Sequence, residues 1–331
     1  TLTTNTTQER MHILPSDHDV EPTFGAAIHD GMPREHMVKR IQALANSNST
    51  ASAWINANPM YYMLRMSDVS FSTAWKLRNL KDVVNTELWC RCGQVKMDSL
   101  TQHLYICSNK HIYGKVRGGL HNKLKHNVKM LSAEILADRG FKTDNNEPKM
   151  RMFYRVIKEN AEPVPSTIPA EAFRNKMSND RRADICVYST AQRKNLIVDV
   201  TTASPLAHNI INNSFYRAGM AADQAVKNKI SSYKKFFNIN DTRHSSLWFF
   251  AVDTNGCLSK EARDYCKLLA NLSGKPGALQ YIYQRVSVAF QNSLVVQVFR
   301  AIHHYTSVIP DPLPHAPDPE PEVPLARRVA R

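Results

Sequence analysis

Apolar side chains recur at two different periods along this chain, and the changes of period mark out its elements. From Pro33 to Val84 the spacing is helical. Met37, Val38, Ile41, Leu44 and Ala45 form one stripe; Val69, Phe71, Ala74, Trp75, Leu77 and Leu80 form a second, with Ser67 or Asp68 as its N-cap. A long basic helix is expected from about Ser108 to Arg139. Between 141 and 203 the pattern shortens to strands separated by polar loops. A helix over Arg217–Phe237, a very apolar strand over Leu247–Asp253 and helices over Ser259–Leu272 and Ala278–Tyr305 complete the series. The polar residues 1–32 read as a disordered lead-in, and 309–331, with seven of the 17 prolines, as an extended tail. The expectation is an α+β chain: a helical segment (33–86), a Cys/His-rich segment with its basic helix (87–140), and a mixed sheet flanked by helices (141–308).

Composition narrows the function. At 331 residues and 43% hydrophobic content the chain can bury a substantial core, and no apolar run is long enough for a membrane-spanning helix. Six cysteines are too few for a disulfide framework in a chain of this size, which points to a reducing compartment. The sequence starts at Thr1 without a leader pattern, so it reads as part of a longer translation product. The net charge of +14 is concentrated: 25 Lys and Arg against 12 Asp and Glu lie within 90–240. That excess points to a polyanion, nucleic acid ahead of a membrane surface, bound by this stretch.

The Cys/His-rich segment has the spacing of a metal site. Cys90-x-Cys92, followed by His103-x3-Cys107, offers three thiolates and an imidazole, a tetrahedral set suited to structural Zn²⁺. Gly93 lets the chain fold back after the first pair, and His103 and Cys107 are spaced to share one face of a helical turn. His111 is an alternative fourth ligand. Such a site contributes on the order of 10 kcal/mol to a small module. Metal here would fix the start of the basic helix, whose Lys110, Lys115, Arg117, Lys123 and Lys125 are candidates for phosphate contact.

A second constellation carries chemistry. Arg181–Tyr188 and Asn195–Thr202 read as the strands of a hairpin; if it is symmetric about Ala191–Gln192, Asp184 stands opposite Asp199, with Cβ atoms about 5 Å apart. Two carboxylates at that range repel unless a cation lies between them, and oxygen ligands suit Mg²⁺ or Mn²⁺. On the following helix, at about 100° per residue from Ala222, Lys229 falls at about 340°, within the apolar stripe of Val226, Tyr233 and Phe237. A lysine there is costly unless its ammonium meets anions. Two acids, a divalent cation and a lysine are the equipment for phosphodiester hydrolysis.

Taken in order, these motifs resemble the C-terminal region of non-LTR retrotransposon polyproteins that carry a restriction-like endonuclease. The stretches concerned are the Trp75–Leu80 helix, Cys90-Arg-Cys92-Gly93, His103-x3-Cys107, Arg182-Ala183-Asp184, Asp199–Pro205 and Lys229-Ile230-x-x-Tyr233. The resemblance covers about 60–300 and implies a zinc knuckle followed by a nuclease of the PD-(D/E)XK superfold. It implies Asp184 and Asp199 as metal ligands, Lys229 and Tyr233 as catalytic residues, and Glu147 as a further, weaker acid on the first strand. Arg181 and Arg182 join the residues expected to meet nucleic acid. Ala183 replaces the family's usual proline, and Thr201 stands where many superfold members have the lysine. No Tyr/Phe-x-Asp-Asp occurs, so the polymerase centre is not in this chain. The implied activity is Mg²⁺-dependent nicking of target DNA to prime reverse transcription. Its partners would be DNA, element RNA and the reverse transcriptase portion of the same polyprotein, in the nucleus or in a cytoplasmic ribonucleoprotein. The alternative is an inactive or repurposed zinc-containing module that only binds nucleic acid.

Overall fold

The computed structural model describes residues 32–84, 88–92, 102–107, 110–144, 146–154, 182–191, 193–239 and 245–307. The lead-in expected over 1–32, apart from Met32, and the proline-rich tail lie outside the described residues.

The sheet follows from the β-branched hairpin. β3 (Ile185–Ser189) pairs antiparallel with β4 (Lys194–Ala203), Ile185 opposite Val198 and Val187 opposite Leu196. This is the register of a hairpin symmetric about Ala191–Gln192. Arg193, at a φ of 49°, makes the left-handed step that lets the turn close. The short β2 (Lys142–Thr143) adds antiparallel to β3, and β5 (Ser245–Asp253) lies parallel to β4, giving a four-stranded mixed sheet of order β2-β3-β4-β5. A parallel neighbour needs a crossover. Here it is made by α5 (Ile211–Ser214) and α6 (Met220–Lys234).

Strand alternation sends side chains to two cores. On one face Ile185, Val187, Leu196, Val198, Val200, Phe250 and Val252 pack under α4 (Lys110–Leu136), α7 (Lys260–Ser273) and α8 (Ala278–Tyr305). The stripe of α4 that meets them is Ile112, Val116, Leu120, Leu124, Val128, Leu131 and Ile135, steps of four and three residues. On the other face Cys186, Ile197, Phe249 and Ala251 meet Ala222, Val226, Tyr233, Phe236 and Phe237 of α6 and its C-terminal turn. Ser259 caps α7 by accepting a hydrogen bond from the Ala262 amide, and Gly274 ends it at a φ of 65°.

The N-terminal helices lean on this body. α1 (Arg34–Ser47) buries Met37, Ile41 and Ala45; α2 (Ser49–Ser52) is capped by Asn48; α3 (Asp68–Arg78) is capped by Ser67, as its sequence suggests. The stripe expected on α3 is corrected by the structure: Thr73 and Ala74 are its buried residues, while Val69, Phe71 and Trp75 remain 63%, 43% and 39% exposed. Small residues let α3 approach α8 closely, and its aromatic residues stack at its edge, with Phe71 and Trp75 ring centroids 6.3 Å apart. A two-residue strand, β1 (Trp89–Cys90), pairs with β6 (Thr306–Ser307) after α8, tying the Cys/His segment to the end of the described chain. No described helix is long and apolar enough to cross a membrane.

Candidate functional site

The Cys/His ligands converge. Cys90 ends β1, Cys92 lies in the turn after it, His103 sits in a 3-10 turn (Gln102–Tyr105), and Cys107 precedes α4. The Sγ atoms of Cys90 and Cys107 are 3.7 Å apart, and Cys92 Sγ is 3.4 Å from His103 Nε2. All four ligand atoms lie within 4.8 Å of one another. A tetrahedral ion bonded at about 2.3 Å to sulfur and 2.05 Å to nitrogen needs S···S of about 3.8 Å and S···N of about 3.6 Å. The cage therefore fits zinc in size as well as donor type. One expectation changes: His103 and Cys107 do not share an α-helical turn. The tighter 3-10 turn, with the Ile106 amide on the His103 carbonyl at 3.0 Å, wraps the chain around the site before α4 begins. Burial pushes the Cys90 thiol up, and the Cys107 sulfur adds to this. A bound cation reverses that preference by demanding thiolates. The side chain of His111 lies outside those described.

The acids meet at the end of the hairpin. Asp184 immediately precedes β3; its amide donates to the Val198 carbonyl at 3.1 Å, and its Oδ2 accepts the Val200 amide at 2.7 Å. The carboxylate thus takes over a rung of the ladder, which fixes its orientation and leaves Oδ1 for partners on α4. His121 Nε2 lies 3.3 Å from that Oδ1 and Lys125 Nζ lies 3.9 Å from it. Burial raises the Asp184 carboxyl, but His121 and the Val200 amide outweigh it, and the net shift is downward.

Asp199, directly across, faces α6 and is 3% exposed. Lys229 Nζ stands 2.8 Å from Asp199 Oδ2. The oxygen still lacks a well-aligned hydrogen bond, so the contact is a charge pair that leaves a buried carboxylate incompletely satisfied. Burial pushes Asp199 up to about 6; Lys229 opposes the rise and Asp184 reinforces it. Two neighbouring carboxylates with opposite shifts, and an under-served buried oxygen, form a site that a divalent cation would relieve. The pair supplies two ligands, and Mg²⁺ ordinarily completes its shell with water and phosphate oxygens. Among the described residues, the only group of three or more His, Cys, Asp or Glu side chains close enough to share one ion is the Cys/His cage.

The remaining sequence candidates divide. Tyr233 is buried and its hydroxyl donates to the Arg182 carbonyl at 2.9 Å, which braces the backbone two residues before Asp184. Glu147 lies beyond β2 rather than on it, and pairs with Lys125 at 2.7 Å, so it joins the acids only through that ammonium. Lys115, Lys123 and Arg182 are exposed. Arg117 and Lys125 are turned inward instead: Arg117 donates to the Thr202 carbonyl, and Lys125 bridges two carboxylates. The physical reason is that α4 crosses the sheet close to the acids, so its flank serves the interior. The Lys110 side chain and Arg181 lie outside the described residues. His121 was not among the sequence candidates. The available signal was its place four residues before Lys125, one turn away on the same face of the basic helix.

No protein-family model matches the chain, and no curated protein is similar to it at a significant level.

Proposed function

We propose that this chain is the restriction-like endonuclease region of a non-LTR retrotransposon polyprotein, of the PD-(D/E)XK type, and that it nicks DNA by metal-dependent hydrolysis. The observation that carries the reading is the hairpin register, which ends at Ile185 opposite Val198 and so sets Asp184 beside Asp199, with Lys229 of α6 2.8 Å from Asp199 Oδ2. Packing does not call for an acid and a lysine beside Ile197, Val226 and Tyr233, which favours a chemical role for the pair.

Asp184 Oδ1 and the Asp199 carboxylate would hold the divalent ion, which supplies an acidified water and neutralises charge on the phosphoryl oxygens. The chain's own groups do the rest. Val200 fixes the Asp184 carboxylate through its amide; Tyr233 fixes the backbone just before it. Lys229 has a side chain 35% exposed, so its ammonium can reach an attacking water or a phosphate oxygen while staying beside Asp199. Cleavage that leaves a 3′ hydroxyl would provide the primer for reverse transcription. The Cys/His cage would hold structural zinc and set the start of α4, with Lys115 and Lys123 toward phosphates.

Nicking of supercoiled plasmid with Mg²⁺ or Mn²⁺ tests the reading. The native chain is expected to convert supercoiled to open-circular DNA, and Asp184→Ala to bind DNA but not cut it. Binding without cutting by the native chain, with zinc present, would favour the module that only holds nucleic acid.

A further inference from the structure

Beside the acids lies a cleft of about 480 Å³ that the cutting chemistry does not use. Its walls come from four parts of the molecule: the Cys/His turn (Tyr105–Cys107), Arg117 of α4, the end of β4 with the loop after it (Thr202–Ile210), and one face of α6. That face is Ala221, Gln224, Ala225 and Asn228, spaced three and four residues apart, and it ends next to Lys229. Ala225 is one turn before Lys229, about 6 Å along the axis, and Thr202 is three residues, about 10 Å, beyond Asp199.

The lining has a definite chemistry. No Asp or Glu belongs to it, although two carboxylates stand nearby, and its charged member is Arg117. The alanines and Ile106 and Ile210 make flat apolar surface. The rim carries amides: Gln224 Nε2 donates to Asn228 Oδ1 at 2.9 Å, which leaves the Gln224 carbonyl and the Asn228 amide group to face a ligand. Apolar walls for a planar ring, amides for a base edge and one cation for a phosphate match a nucleotide. A volume on the scale of small-ligand sites admits a single nucleotide and excludes an intact duplex.

We propose that this cleft receives one unpaired nucleotide of the strand being cut, its base against the alanine face of α6 and its phosphate on the Arg117 side. The inference rests on the nuclease reading for the identity of the strand, and it adds local unpairing as a requirement for productive binding. A base that must leave the helix selects sites where unstacking is easy.

Fluorescence anisotropy without added divalent metal tests it, comparing a fully paired duplex with the same duplex carrying one unpaired base. The native chain should bind the second about tenfold more tightly, the factor supplied by removing roughly 55 Å² of base surface from water at about 25 cal/mol per Å². Ala225→Trp, which fills the cleft, and Gln224→Ala with Asn228→Ala, which strips its rim, should each remove that preference and leave paired-duplex affinity unchanged. The rim variant alters solvent-facing side chains, so it keeps the test valid if the tryptophan disturbs folding. Equal affinity of the native chain for both DNAs overturns the proposal, as does a preference that survives both variants. Asp199→Asn separates the two readings: it should abolish nicking and keep the preference. A native chain that nicks without the preference sinks the cleft alone, and a preference without nicking sinks the nuclease alone.

Discussion

Replacing Lys229 by methionine isolates the charge pair at the centre of this account, because Met keeps most of the lysine's stem. The Asp199 carboxylate would lose the cation 2.8 Å away that opposes the upward pull of burial. Its escape is protonation, and the cost of that escape depends on pH. With the native group at about 6, protonating it costs on the order of 1 kcal/mol at pH 7 and roughly twice as much at pH 8. Beyond that the loss levels off at the roughly 3–5 kcal/mol of an unpaired buried charge, and the 35% exposure of Lys229 trims it further. The sign is fixed. Below pH 5 the native carboxyl is already protonated, so the substitution costs little; above pH 6 the cost grows. Urea unfolding of native and Lys229→Met protein from pH 5 to pH 8 reads this directly, with nicking expected to fall about 10²-fold or more. A stability loss that is flat across that range would refute the argument that Lys229 acts through Asp199.

Asp253 is fully buried and burial pushes its carboxyl up to about 7, so between about 4 and 7 the native state holds a proton the unfolded chain has released, and stability falls as pH rises. Asp253→Asn should flatten that slope in thermal melts, and an unchanged slope would contradict it. Cys107→Ser should lower bound zinc from about one per chain to nearly none, and full retention on metal analysis would remove the cage assignment. Leu124, 1% exposed between α4 and the sheet, should cost about 2–5 kcal/mol on truncation to alanine, whereas a loss below 1 kcal/mol by urea titration would mean the α4 interface is not as described. Lys115→Ala and Lys123→Ala together should flatten the salt dependence of DNA affinity by up to about two units of log–log slope, and no change would move the phosphate contacts elsewhere.

How much of this was legible in the sequence depends on the range of the interaction. The Asp184–Asp199 pairing was readable because two β-branched runs flank a short polar turn, so local register decides it. Lys229 was readable because helical phase alone sets it among Val226, Tyr233 and Phe237. The α3 stripe misled because hydrophobicity does not say which face wins: close approach to α8 selects Ala74 over Phe71 and Trp75. Helical spacing shows only that His121 and Lys125 share a face; that they reach the acids, and that Arg117 turns inward, depends on where α4 crosses the sheet. The pairing of β1 with β6 joins two-residue strands from distant parts of the chain, too short to carry a period.

We propose that the Asp184–Asp199 pair holds a divalent cation. Electron paramagnetic resonance of Mn²⁺ titrated into zinc-loaded protein addresses it without requiring DNA or turnover. One Mn²⁺ site is expected on the native chain, weakened strongly in both Asp184→Asn and Asp199→Asn while zinc content is unchanged. Equal Mn²⁺ binding by the native chain and both variants, or no Mn²⁺ site on the native chain, would contradict it.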